Sequence, residues 1–155
     1  MRRSTKHLFP NFFRAYPPKR VRAASLLRNR RIQWFIVATY AAFLLVISLA
    51  PSQSLPKIPD WNLLFTPDKV AHFGAYGLFA VLLSVIFSER WGGKGISLAV
   101  IVAAFYGFLI EVLQGLAGTG RNYDPVDMVA NLLGAVLGGF FVLAFYQYQK
   151  KRSPR

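Results

Sequence analysis

Four apolar runs, each long enough to cross a bilayer, alternate along this chain with polar tracts rich in proline or glycine. The first, 32–50, is nineteen residues without a charge. At about 1.5 Å per helical residue it covers the roughly 30 Å of a hydrocarbon core. The second runs over about 68–88. Pro67 suits its helix N-terminus, and Asp68 sits against the positive end of the helix dipole. The tract 89–94 is read as a short turn into the third run, about 95–116, which Gly115, Gly118 and Gly120 bring to an end. The fourth, 125–148, leads into Lys150, Lys151 and Arg152. Between the first two runs, Pro51, Pro56, Pro59 and Pro67 mark an irregular loop in which Trp61 and Phe65 are expected as interfacial anchors. The pattern predicts an all-α protein: an integral membrane four-helix transmembrane bundle over 32–148, flanked by basic tails at 1–31 and 149–155.

A secretory signal is the competing reading of the first run, since Ser48, Leu49 and Ala50 have the small-residue look of a cleavage site. The run exceeds the usual apolar core of a signal, and Pro51 would directly follow the cut. It is therefore read as a retained span.

Composition adds two constraints. Of the 155 residues 54% are hydrophobic, as a membrane protein requires. None is cysteine, which removes disulfides and thiolate chemistry together. A net charge of +13 would suggest nucleic acid if it were spread over the fold, but ten of the nineteen Lys and Arg precede position 32 and four follow position 149. Clusters at the ends of spanning helices fit the positive-inside rule and anionic inner-leaflet lipids instead, and no nucleic acid is expected. Phe9, Phe12, Phe13 and Tyr16, interleaved among the charges of 1–31, allow that segment to lie on the inner leaflet rather than trail as a free tail. Four spans put both termini on one side. With the tails inside, sixteen Lys and Arg are cytoplasmic against three (Lys57, Lys69 and Arg121) outside, so both termini are expected in the cytoplasm.

That topology gives the polar residues their meaning. Asp68, Lys69 and His72 open the second span, Glu111 and Gln114 close the third, and Arg121, Asp124, Asp127 and Asn131 lead into the fourth. Three separated segments thus deliver polar side chains to one level of the membrane, on its outer side. The helical phase agrees: Asp68, His72 and Tyr76 recur every four residues, and Asp127, Asn131, Gly134 and Gly138 share one stripe. Gly134 and Gly138 form a small-xxx-small pair suited to close helix packing. Ionisable groups in a membrane segment are costly and usually face a bundle interior.

In the ordered set Asp68-Lys69-x-x-His72, Glu111-x-x-Gln114 and Arg121-x-x-Asp124-x-x-Asp127-x-x-x-Asn131-x-x-Gly134-x-x-x-Gly138, the chain resembles the VanZ-like family over about 65–140. These are small bacterial multi-pass membrane proteins, named after a member that confers low-level teicoplanin resistance. The resemblance implies a bacterial cytoplasmic (inner) membrane location and a link to the cell envelope. It carries no reaction, and the tail 1–31 lies outside it.

The constellation admits several roles. As structural glue, Glu111 pairs with Arg121 or Lys69, while Asp124 and Asp127 cap the fourth helix. As a binding site for an envelope amphiphile, Arg121 and Lys69 contact an anionic group, and Asp68, Asp127, Glu111, Asn131 and Gln114 orient them or meet the ligand. The ligand would be a lipid headgroup, a lipid-linked precursor or a lipidated antibiotic. As an enzyme, His72, Glu111 and Asp127 are the acid–base candidates, acting on a lipid-linked phosphoryl or acyl group. A cation held by Asp127, Glu111 and Asp124 has no regular ligand spacing behind it, so no metal or cofactor is expected. Transport would need polar residues in both halves of the membrane, and the cytoplasmic halves are apolar. The amphiphile reading accounts for most of the pattern.

Overall fold

The computed structural model describes residues 29–54, 66–118, 120, 121 and 123–152. The tail 1–28 with its aromatic residues, Pro56, Pro59 and the expected anchors Trp61 and Phe65 lie outside these. The described residues form four long helices: α1 (Arg30–Leu49), α2 (Pro67–Trp91), α3 (Gly93–Leu116) and α4 (Pro125–Arg152). All four are long and apolar enough to span a membrane.

Local chemistry sets where each helix begins. The Asn29 side chain accepts from the Arg31 backbone N–H at 3.0 Å and caps α1. Thr66 caps α2 in the same way through the Lys69 N–H at 3.4 Å, with Pro67 in the first turn. Asp124 caps α4, its Oδ1 accepting from the Val126 N–H at 2.8 Å. The turn between α2 and α3 is tighter than the six residues read from the sequence: α2 runs to Trp91 and α3 begins at Gly93. Gly92 alone reverses the chain, with φ +56° and its N–H donating to the Ser88 carbonyl. Glycine adopts that backbone without a Cβ penalty. α4 also continues past 148 to Arg152, with Lys150, Lys151 and Arg152 in its last turn complementing the dipole.

Packing centres on α2, which lies against both α3 and α4. Its tightest approach is to α4. A Cβ on Gly134 would run into the Phe73 carbonyl, and one on Gly138 into the Gly77 carbonyl. In lipid, where hydrophobic burial does not drive helices together, such close approach is a main source of association. Ala80, Ala99, Ala103 and Ala135 are fully buried between α2, α3 and α4, alongside Tyr76, Ile86 and Ile110. α1 packs on α2 and α3 and does not touch α4. Three hydrogen bonds to backbone carbonyls help tie it in: Tyr40 Oη to the Ala75 carbonyl, Tyr106 Oη to the Ala41 carbonyl, and Gln114 Nε2 to the Ser48 carbonyl.

Large apolar side chains point outward, among them Phe35, Phe105, Phe140, Phe141 and Phe145. A protein folded in water would bury most of these, whereas here lipid covers them. At the end of the bundle formed by the start of α1 and the finish of α2, exposed Trp34 and Trp91 flank Phe87, and Gln33 and Arg30 meet Glu89. The polar cluster occupies the opposite end.

Candidate functional site

Depth along the helices sorts the cluster into two layers. His72 lies five residues into α2, Glu111 five residues from the end of α3, and Asn131 six residues into α4. At about 1.5 Å per residue all three are roughly 8–9 Å from their helix ends. Lys69 and Asp127 are only two residues in, and Arg121 and Asp124 belong to the α3–α4 connection.

The outer layer is a set of ion pairs. Lys69 Nζ sits 3.0 Å from Asp124 Oδ2 and 3.4 Å from Asp127 Oδ1, bridging the connection to the first turn of α4. Arg121 Nη2 lies 3.3 Å from Asp68 Oδ1. The Val126 backbone N–H and the Lys69 ammonium together hold the Asp124 carboxyl below the usual carboxylate range.

The inner layer turns on His72. Its Nδ1 lies 3.0 Å from Asn131 Oδ1 and 3.6 Å from Glu111 Oε1, and its Nε2 is 3.9 Å from Asp68 Oδ2. The ring is parallel to that of Tyr76, centroids 6.4 Å apart. Glu111 is wholly buried, and neither of its oxygens has a hydrogen-bond partner among the described residues. The Asp124 backbone amide approaches it outside hydrogen-bond geometry. Tyr76 Oη and Asn131 Nδ2 are buried and unpartnered as well. Buried polar groups are normally satisfied, so three such residues in one layer mark it out from an ordinary helix interface.

Beside the cluster, between α2 and α4, runs an apolar groove of about 450 Å³ lined by Lys69, Val70, Phe73, Val126, Val129, Ala130 and Leu133. Lys69 is its one charged residue. It therefore belongs both to the ion-pair layer and to the wall of the groove.

A sequence model of the family described as VanZ/LLP1 matches residues 11–146. The chain belongs to the VanZ-like family. No curated protein and no solved structure matches it. The VanZ-like match reaches beyond the motif-bearing stretch of about 65–140. It takes in α1, as the family's layout implies, and also much of the preceding basic segment, which corrects the expectation that the tail 1–31 lies outside the family.

Within this VanZ-like protein the fold gathers Asp68, Lys69, His72, Glu111, Arg121, Asp124, Asp127 and Asn131 at one end of the bundle. Gln114 is turned away: its amide nitrogen reaches Ser48 on α1 at 2.8 Å. The pairing expected of Glu111, with Arg121 or Lys69, is corrected. Glu111 faces His72, while Lys69 takes Asp124 and Asp127, and Arg121 takes Asp68. Depth explains the exchange, because Glu111 lies at the level of His72 and below the two cations. Both cations are thus engaged by carboxylates. An anionic ligand would have to share or displace those partners. Two further residues shape the site: Gly107, which the sequence pattern did not single out, and Tyr76, which it placed on the stripe of Asp68 and His72. Gly107, one turn before Glu111 on α3, makes room for the inner layer; a Cβ there would stand 2.9 Å from the Tyr76 ring and 3.0 Å from the Asn131 side chain. Tyr76 supplies the ring beside His72. The signal for Gly107 was its spacing of four from Glu111.

Proposed function

We propose that this VanZ-like protein binds and handles a cell-envelope amphiphile at the polar end of its bundle. The headgroup lies against Lys69 and Arg121, and an acyl chain occupies the groove between α2 and α4. The observation that carries this reading is the position of Lys69, at once the bridge between Asp124 and Asp127 and the charged residue of an apolar groove. Amphiphile sites pair an apolar lining with a few placed polar groups, and the groove meets that description.

The charge pattern supports an outward-facing site in a bacterial cytoplasmic membrane. The basic ends are cytoplasmic and engage anionic inner-leaflet lipids. An outward pocket for a lipid headgroup, lipid-linked precursor or lipidated antibiotic fits a role in glycopeptide resistance. A membrane-embedded enzyme acting on a lipid-linked phosphoryl or acyl group is the second reading, favoured by His72, whose Nδ1 is engaged by Asn131 while Nε2 faces a carboxylate.

Native mass spectrometry of protein gently extracted from its own membrane tests the binding reading, beside Ala130→Trp, which fills the groove, and Arg121→Ala. A copurifying amphiphile in the unaltered protein that both variants lose is the expected result. The same lipids at the same occupancy in all three would refute specific binding.

A further inference from the structure

The geometry points to a divalent transition-metal site formed by His72 Nε2 with one carboxylate oxygen each from Asp68 and Asp127. These three residues offer ligand atoms that all lie within 4.8 Å of one another. Asp68 and His72 are four apart on α2, but Asp127 comes from the first turn of α4, so spacing along the chain shows only two of the three ligands.

Three independent features support a cation there. The first is the orientation of the histidine. With Nδ1–H donating to Asn131 Oδ1, the Nε2 of a neutral ring faces Asp68 Oδ2 as acceptor against acceptor, a contact that either a second ring proton or a metal ion between them would relieve. A ring nitrogen held by a side-chain oxygen, with the other nitrogen free, is the usual state of a metal-bound histidine. The second is Glu111. Fully buried and without a hydrogen-bond partner among the described residues, it directs Oε1 at Nδ1, the far side of this same ring, from 3.6 Å, where it would support a charged His72–metal unit. The third is formal charge. Counted as ionised, the four carboxylates Asp68, Glu111, Asp124 and Asp127 outnumber the two fixed cations among them, Lys69 and Arg121, by two. His72 is the only other basic group in contact among the described residues, and one divalent ion offsets that excess.

The donors also suit the role. Asp68 gives Oδ1 to Arg121 and Asp127 gives Oδ1 to Lys69, which leaves the second oxygen of each. One imidazole and two carboxylates favour Zn²⁺ or Mn²⁺ over Ca²⁺ or Mg²⁺, which prefer oxygen alone. Bonds of about 2.0–2.2 Å require the ligand atoms to draw closer than the present 3.9 Å between His72 and Asp68. Asp68, with a side chain 54% exposed, is free to swing inward. Three protein ligands leave a position open for a headgroup oxygen or water.

The test needs no amphiphile, so its outcome is separate from that of the binding reading. Full-length protein in detergent is stripped with a chelator, then titrated with ZnCl₂ by calorimetry and with MnCl₂ by electron paramagnetic resonance. One ion per chain is expected, abolished by His72→Ala and Asp127→Asn. Asn131→Ala, which frees the back of the ring, should weaken binding by about 10- to 100-fold. Asp68→Asn alters an exposed side chain, so the fold is kept while a ligand is removed, and it should also lose the ion. Folded wild-type protein that takes up neither Zn²⁺ nor Mn²⁺ stoichiometrically would overturn the assignment. So would Asp68→Asn and His72→Ala variants that bind as tightly as the wild type.

Discussion

His72 on α2 and Asn131 on α4 meet through Nδ1 and Oδ1 at 3.0 Å, both side chains buried at the same depth in the bundle. This contact joins the two helices at the level where Glu111 enters from α3. Replacing Asn131 with Leu removes the acceptor and leaves a buried ring nitrogen unpaired. Interhelical hydrogen bonds in membranes contribute about 0.6 kcal/mol on average, but an orphaned buried donor costs about 1–3 kcal/mol. The orphan should dominate, so a loss of about 1–3 kcal/mol is expected in reversible unfolding in mixed micelles.

Asn131 also illustrates what the sequence does and does not disclose. The spans were legible because an uncharged apolar run of about twenty residues matches the thickness of a bilayer and little else in protein architecture. The meeting of Asp68, His72, Glu111, Asp127 and Asn131 was legible because two constraints, helical phase and membrane depth, act together. Partner choice was not. Whether Arg121 reaches Asp68 or Glu111 depends on the path of the α3–α4 connection and on differences in depth of one turn. Gln114 shares a face with Glu111, yet the seating of α1 turns its amide to Ser48. Gly92 as the sole reversal between α2 and α3 was hidden by the polar residues around it, which continue the helices.

Helix spacing gives a sharper test of the packing. Gly134→Leu places a side chain against the Phe73 carbonyl and forces α2 from α4, so the folded bundle should be lost or severely destabilised. Gly74→Ala, on the same helix as Phe73 but with nothing within 4 Å of the new Cβ, should change stability by no more than about 0.5 kcal/mol. Melting of the two variants by circular dichroism separates close packing from a general sensitivity of glycine positions.

Lys69 stands between two carboxylates, one of them in the nearly buried Asp127. Lys69→Met strands that charge and should cost about 3–5 kcal/mol if Asp127 remains ionised. Neutralising the stranded partner as well, in Lys69→Met with Asp127→Asn, should recover much of the loss. A double-mutant cycle measures the coupling, and strict additivity would show that the pair contributes nothing.

Asp124 supplies a pH dependence. Its carboxyl is held below its ordinary value of 3.8 by the Val126 N–H and by Lys69. A group with a depressed folded value stabilises the fold above its unfolded value and loses that contribution as the pH falls through the folded one. Asp124→Asn keeps an N-cap but removes the charge. It should therefore be less stable than wild type near neutral pH, with the difference shrinking as the pH drops below 3.8. Thermal scans across that range check the sign.

Photo-crosslinking in living cells addresses the amphiphile most directly. A photoreactive amino acid replaces Val129 in the groove or, as a control, the lipid-facing Phe105 on α3. An adduct of defined mass at Val129, absent at Phe105 and diminished by Arg121→Ala, is the expected result. Equal labelling of both positions by bulk phospholipid, unaffected by Arg121→Ala, would contradict a binding site at the polar end of the bundle.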